Sequence, residues 1–315
     1  MLVTLIVGPP ASGKTTQAQR LLAHQPTAVR LNRDERGGSL EALVPAMQAA
    51  LRAGQDVILD NLFTTQMDRK PFIEQAKQLG AEVECIYLDL DIESCTINAC
   101  MRMMKNHGRL LSPSEIKKSS NPNDIPPTVL FRFRKRFEMP STSEGFSSVR
   151  CVQGYKHTFT GSNKAVILDY DGTLRETLGG GKFPIQTSQV RVLPGRTDIL
   201  NAYMSMGYRL LGASNQSGVA KGTLTLDQAE ACFKETNNQL GIFIDYQFCP
   251  HSIPPVSCYC RKPQSGMGIY FIEKYNLDPS KCIMVGDMTT DNTFATRLGI
   301  PYVPADTFFT VRNGQ

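Results

Sequence analysis

The run GPPASGKTT at residues 8–16 constrains the fold of this chain more than any other feature. It fits G-x-x-x-x-G-K-[ST] and follows the apolar run LVTLIV. A Gly-rich turn between a strand and a helix aims backbone N–H groups at an anion, and the positive end of the helix adds to that field. Gly8 and Gly13 permit the tight turn and the close approach. Lys14 is placed to neutralise the β- and γ-phosphates of a nucleotide, and Thr15 to bind Mg²⁺ through its hydroxyl. The expected nucleotide-binding residues are Gly8, Ser12, Gly13, Lys14, Thr15 and Thr16, with ATP and Mg²⁺ as cofactors.

The pattern downstream fits that opening. Helices are expected near 14–24, 40–52, 69–79 and 128–137, and strands at 28–31, 57–59, 83–88 and 148–152. Repeated strand–helix units predict a parallel sheet with helices on both faces. Residues 112–127, rich in Ser, Pro, Asn and Lys, read as a loop or lid edge. A stretch with little apolar pattern, 153–163, reads as a linker. A new strand, AVIL at 165–168, opens a second unit, with helices near 196–206, 226–240 and 266–275 and a strand at 282–285. The expected organisation is two doubly wound α/β domains, 1–155 and 156–315.

Asp34 ends the second strand in LNRD, where ligands of open α/β sheets bind. It can accept the proton of an attacking hydroxyl, or cap the next helix. Asp60, ending the third strand, can hold a metal shell or orient another side chain. Residues 102–136 carry nine Lys or Arg against the acids Glu115 and Asp124. Lid arginines stabilise charge on a transferring phosphoryl group. Spacing does not choose among Arg102, Arg109 and the 132–136 cluster, and Arg109 is taken as a nucleotide contact. Phe131, Phe133 and Phe137 share one helical face and read as core.

The second unit opens on DYDGT at 169–173. Two carboxylates two residues apart at a strand end can divide labour. Asp169 attacks phosphorus and becomes an aspartyl-phosphate; Asp171 protonates the leaving oxygen and then activates water. Ser214 can bind the phosphate and Lys262 can neutralise it. Asp169, Asp287 and the backbone carbonyl of Asp171 offer hard oxygens to Mg²⁺. Cys249, His251, Cys258 and Cys260 offer three thiolates and one imidazole, a donor set for structural Zn²⁺ with no position left for water.

Three resemblances follow from these residues. Over about residues 1–150, GPPASGKTT, LNRD, VILDN at 57–61 and FRFRKRFEMPSTSEGF at 131–146 resemble the 5′-kinase domain of polynucleotide kinase-phosphatases. That likeness makes Asp34 the general base for a nucleic acid 5′-OH and Arg102 a contact of the ATP phosphates. Residues 160–310 resemble the haloacid dehalogenase phosphatases. The Cys/His loop resembles that of histidinol-phosphate and heptose-bisphosphate phosphatases, and is not the usual loop of the end-healing enzymes.

Two functions therefore stand side by side. The first is repair of DNA or RNA ends, leaving 5′-phosphate and 3′-OH for a ligase. The second is a small-molecule kinase fused to a sugar-phosphate phosphatase. A decayed, purely binding role is opposed by the presence of Lys14, Thr15, Asp34, Asp169, Asp171, Lys262 and Asp287. No run of about 18 apolar residues exists to span a bilayer, and MLVTLIVGPP reads as a first strand with no basic lead-in. No membrane partner and a cytoplasmic location are expected.

Overall fold

The computed structural model describes residues 1–253 and 258–310. It contains β1 (Leu2–Val7), α1 (Lys14–His24), β2 (Val29–Leu31), α2 (Arg33–Arg36), α3 (Val44–Arg52), β3 (Val57–Asp60), α4 (Gln66–Gln78), β4 (Glu82–Asp89), α5 (Ile92–His107), α6 (Pro113–Lys118), α7 (Pro127–Arg136) and β5 (Ser148–Gln153). These are followed by β6 (Ala165–Leu168), β7 (Arg175–Thr177), β8 (Val190–Val192), α8 (Arg196–Ser205), β9 (Arg209–Asn215), α9 (Ser217–Ala220), α10 (Leu226–Leu240), β10 (Asp245–Cys249), α11 (Gly266–Tyr275), β11 (Ile283–Gly286), α12 (Thr289–Leu298), β12 (Tyr302–Pro304) and α13 (Ala305–Phe308). The chain divides into two compact units: Met1–Ala99 with Lys118–His157, and Cys100–Lys117 with Thr158 onward.

The first unit is built on a parallel sheet in the order β2-β3-β1-β4-β5. Strand β1 lies between β3 and β4, and the chain leaves it in both directions. The strand order therefore reverses at the carboxyl end of β1, where open α/β sheets bind ligands. Val3, Leu5, Ile6 and Val7 are fully buried, as a strand covered on both faces requires. Helix α4 starts on a capping box, Thr65 with Asp68, and its Phe72, Ile73 and Ala76 join Leu5, Leu59 and Val83 in the core.

A buried ion pair ties that helix to a distant segment. Arg69 donates to both carboxylate oxygens of Glu144, each at 2.7 Å, and to the carbonyl of Phe63 at 3.2 Å. The FEMPSTSEGF segment thus has a structural anchor in Glu144. Of the three phenylalanines, Phe133 is buried and stacks on Phe137, which also stacks on Tyr87. Phe131 is half-buried, with the Arg134 guanidinium 5.5 Å from its ring.

The second unit repeats the plan with the order β10-β9-β6-β11-β12, all parallel, and a small antiparallel hairpin of β7 and β8. Here β6 is the strand at which the order reverses, and all four of its residues are buried. Helix α10 opens on the Thr225–Gln228 capping box and closes on Gly241, at φ 65°.

The observed elements differ from expectation in several places; in the second unit helix α12 and strands β7, β8, β10 and β12 had no expected counterpart. Helix α5, 16 residues long, had no counterpart in the sequence reading. The supposed loop at 112–127 contains the short helix α6, which opens on Pro113, a residue suited to a first helical turn. The Glu144→Ala variant should be destabilised by about 3–5 kcal/mol, because Arg69 would be left buried and unpaired. Denaturant midpoints of the two proteins measure this; a change under about 0.5 kcal/mol would mean that the pair is structurally idle.

Candidate active sites

In the first unit the loop after β1 carries the residues expected to hold a nucleotide's phosphates. Gly13, at φ 95°, is the N-cap of α1, and the first turn of that helix carries no acid. The Lys14 ammonium donates to the carbonyls of Gly8 and Pro9 at 3.0 and 2.7 Å, so it lies across the loop. Ser12 is buried and its hydroxyl has no hydrogen-bond partner among the described residues. Asn98 holds the loop from behind. Its amide donates to the carbonyls of Ala11 at 2.8 Å and Tyr155 at 2.6 Å, and its oxygen accepts from the N–H of His157.

Asp34 lies just past the carboxyl end of β2, half-exposed, with one oxygen 3.1 Å from the Arg33 guanidinium. It does not cap the following helix. Asn32 does so, its oxygen accepting from the N–H groups of Asp34 and Glu35. The Asn32 amide also donates to the Asp60 carbonyl, and Asn61 reciprocates by accepting from Arg33 N–H and donating to Leu31 carbonyl. These bonds fasten LNRD to LDN, with Asp34 in the first turn of α2 and its carboxylate exposed. Asp60 orients a side chain: it is buried and takes two hydrogen bonds from Arg30, at 2.7 and 3.2 Å.

Arg102 and Arg109 belong to the stretch that forms part of the second unit. Arg109 forks onto Glu115 on an exposed turn, and this pairing holds the Glu115 carboxyl well below its usual range.

In the second unit, strand register assembles the site. Leu168 pairs with Val285 on one side and Gly212 on the other. Asp169 therefore emerges beside Gly286 and Asp287, with Ser214 just beyond on β9. Alternation along DYD turns Tyr170 into the core. It meets Phe233 edge-on at 4.5 Å, in space that Gly212 leaves open: a Cβ there would lie 2.3 Å from the Tyr170 ring.

Lys262 is buried, with its ammonium 2.9 Å from Asp169 and 2.6 Å from Asp291. These contacts are close as ion pairs but off the angles of hydrogen bonds. Burial alone would lower the Lys262 pKa; the two carboxylates outweigh it and raise the pKa above the ordinary value. Asp287 is pushed up by burial and then by the charge of Asp169. Asp171 receives Arg175 Nε at 2.8 Å and Gln216 Nε2 at 2.7 Å, and Gln216 also reaches the Ser214 hydroxyl at 3.1 Å. Asn215 clamps the backbone of Lys262 through two bonds of 2.9 Å. Sequence reasoning assigned no role to Arg175, Asn215, Gln216 or Asp291. The only signal was their adjacency to the motif residues, in DGTLR, SNQ and GDMTTD.

The residues fit the ions their chemistry implies. Carboxylate oxygens of Asp169, Asp287 and Asp291 lie within 4.8 Å of one another. Lys262 occupies the Asp291 side, so Asp169 and Asp287 are the groups that would take Mg²⁺. Gly172, at φ 87°, makes the room: a Cβ there would lie 2.4 Å from Asp287 Oδ2.

Cys249, His251, Cys258 and Cys260 also converge within 4.8 Å. Cys249 Sγ is 3.7 Å from Cys258 Sγ, and His251 Nδ1 is 3.5 and 3.3 Å from the sulfurs of Cys249 and Cys260. A tetrahedron of Zn–S arms of ~2.3 Å has edges of ~3.8 Å, so the spacing suits zinc. Contacts with Cys249 and then Cys258 hold His251 up to about 10, and Cys249 and Cys260 push the Cys258 thiol far down. The tip of this loop, 254–257, lies outside the described residues.

With this geometry in hand, similarity to known proteins is informative. A model described as AAA domain matches residues 37–107, and one described as HAD-hydrolase-like matches 259–307. A probable D-glycero-D-manno-heptose-1,7-bisphosphate 7-phosphatase of Thermoplasma volcanium is 33% identical over 144 residues, 44% of this chain and 96% of that protein. A corresponding phosphatase of Haemophilus influenzae is 34% identical over 142 residues, 41% of this chain and 73% of that protein. A chain in the structure of an RNA repair complex is 18% identical, covering 96% of this chain and 95% of that one, with a TM-score of 0.31.

The chain joins a P-loop kinase domain to a haloacid dehalogenase-like phosphatase domain. Through the second domain it belongs to the HAD-like family that contains these heptose-bisphosphate phosphatases.

Replacing Gly172 by Ala should abolish phosphatase activity and spare the kinase, through ~1–3 kcal/mol of backbone strain and the collision with Asp287; retained hydrolysis would refute the cradle. Stripping zinc with a strong chelator should lower the melting temperature of the second domain. Elemental analysis without zinc, or melting indifferent to chelation, would dismiss the metal.

Proposed function

We propose that this enzyme heals nucleic acid ends. Its P-loop domain transfers the γ-phosphate of ATP to a 5′-OH, and its second domain removes a 3′-phosphate. The observation that carries the choice of polymer is the outer face of α7. Arg132, Arg134, Lys135 and Arg136 are all exposed there, while Leu130 and Phe133 turn inward. None of the four takes part in an ion pair among the described residues. Exposed cations of this density, in the unit that holds the P-loop, suit a phosphate backbone and its counterion release.

In this reading Asp34 removes the proton from the 5′-OH. Lys14 and Thr15 face the ATP phosphates with their Mg²⁺. Asp169 is the nucleophile of the phosphatase, Asp171 its acid and base, and Ser214 and Lys262 hold the phosphate. Mg²⁺ on Asp169, Asp287 and the Asp171 carbonyl would screen the phosphate's charge. Zinc on Cys249, His251, Cys258 and Cys260 would be structural. No helix among the described residues is long and apolar enough to cross a membrane, and the products would feed a ligase.

A second reading keeps the phosphatase on a heptose-type bisphosphate. The 33% identity to the Thermoplasma protein over nearly all of its length favours it.

One experiment compares the two. Labelled γ-phosphate should pass from ATP to 5′-OH oligonucleotides, with DNA and RNA run side by side, and steeply less so at high salt. Asp34→Ala should lower kinase activity at least ~100-fold and leave the phosphatase intact. In parallel, 3′-phosphate oligonucleotides and heptose-1,7-bisphosphate compete for the phosphatase. No transfer to either polymer, with efficient hydrolysis of the heptose substrate, would favour the second reading.

A further inference from the structure

Arg175 is a buried cation that the chemistry above does not use. Its side chain is 1% exposed. Its guanidinium donates through Nε to Asp171 Oδ1 at 2.8 Å, and through Nη1 to the Cys232 carbonyl at 2.8 Å and the Thr236 hydroxyl at 3.0 Å. The same group lies 5.2 Å from the Tyr170 ring centroid and 4.7 Å from that of Phe233. Five side chains or backbone groups thus surround it. On the other side of Asp171, Gln216 is also buried. It donates to Oδ2 at 2.7 Å and lies 3.1 Å from the Ser214 hydroxyl.

We infer that Arg175 and Gln216 are positioning residues that decide which oxygen of Asp171 carries the catalytic proton. The inference rests on the reading of Asp171 as acid and base.

The argument is one of donors and acceptors. A guanidinium has five N–H donors and no acceptor, and it does not deprotonate. Along that contact Oδ1 can therefore only accept, and it accepts from the guanidinium better as a charged or carbonyl-type oxygen than as a hydroxyl. Gln216 is different, because its amide has both an acceptor oxygen and a donor nitrogen. With Asp171 ionised, the amide nitrogen donates to Oδ2, as observed. With Asp171 protonated on Oδ2, a half-turn of the same amide presents its oxygen to that proton or to the Ser214 hydroxyl. The proton is thus favoured on Oδ2, the oxygen on the side of Ser214, where the phosphate is expected.

The two half-reactions then share one oxygen. An oxygen of Asp169 attacks phosphorus and the bond to the leaving oxygen breaks. The proton on Asp171 Oδ2 passes to that oxygen, releasing an alcohol and leaving an ionised Asp171 and an aspartyl-phosphate. Water then attacks this phosphorus while Oδ2 takes a proton from it. Inorganic phosphate leaves, and Asp169 is restored as a carboxylate. A carboxylate free to rotate would offer the wrong oxygen for part of the time and lose the alignment that efficient transfer needs.

Leaving groups of different basicity separate this role from a structural one. A p-nitrophenolate leaves without help; an alkoxide must be protonated. Arg175→Met should form the aspartyl-phosphate from p-nitrophenyl phosphate with a first-turnover burst close to wild type. On a simple alkyl phosphate it should lose about 100-fold in single-turnover rate, the scale of general acid catalysis. Gln216→Met, which removes no buried charge, serves if Arg175→Met does not fold, and should show the same split. Equal loss on both substrates in a folded variant overturns the inference, as does no loss on either. Asp171→Asn is the control. If it cleaves the alkyl phosphate as well as wild type, the acid–base reading of Asp171 fails first. If it loses that activity while the Arg175 and Gln216 variants do not distinguish the substrates, only the present inference falls.

Discussion

The phosphatase half depends on one buried ammonium. Lys262 sits between Asp169 and Asp291, at 2.9 and 2.6 Å, almost without solvent. Taking a lysine charge out of water is costly unless opposite charges surround it, and here two carboxylates do so. The arrangement in turn holds Asp169 forward, beside Asp287. Everything that fixes Lys262 therefore fixes Asp169. Asn215 clamps its backbone, and Arg261 reaches the carbonyl of His251 at 3.0 Å. Strand β10 delivers Cys249 beside Asn215, and the Gln216 N–H bonds the Cys249 carbonyl at 2.8 Å. The thiol cluster is thus an outer brace for Asn215, Gln216 and Lys262.

The kinase half solves a related problem with backbone groups. Its loop is shaped by glycines and held from behind by Asn98, whose amide spans Ala11, Tyr155 and His157. A Cβ on Gly13 would lie 3.0 Å from Tyr155, so the segment after β5 packs closely on the loop. Near Asp34 the side-chain amides of Asn32 and Asn61 replace ordinary ladder bonds. They hold two strand ends in register while leaving the aspartate outward. Both halves place chemistry where strand order reverses, because diverging crossovers open a crevice there.

Much of this was legible in the residues. Helices α1, α10 and α11 span the expected residues because their apolar spacing and their ends agree. The two motifs revealed themselves because loop, helix dipole and carboxylate pair all depend on contiguous residues. Helix α5 was missed although Asp91 caps it, accepting from Ser94 N–H at 2.7 Å; its mixed run INACMRMMKNH shows no clean apolar stripe, and packing completes it.

The sequence by itself determined the two α/β sheets, the phosphate loop, the carboxylate pair and the four soft ligands, since each is encoded over a few neighbouring positions. Only the tertiary structure decided which groups support them. Asp291 holding Lys262, Arg175 and Gln216 holding Asp171, Arg69 holding Glu144, and Asn32 in place of Asp34 as the helix cap depend on where strands register and side chains turn. Those contacts join residues that are distant along the chain or ambiguous in role, so no local pattern announces them. They form because a buried charge or polar group must find its partner in the folded core.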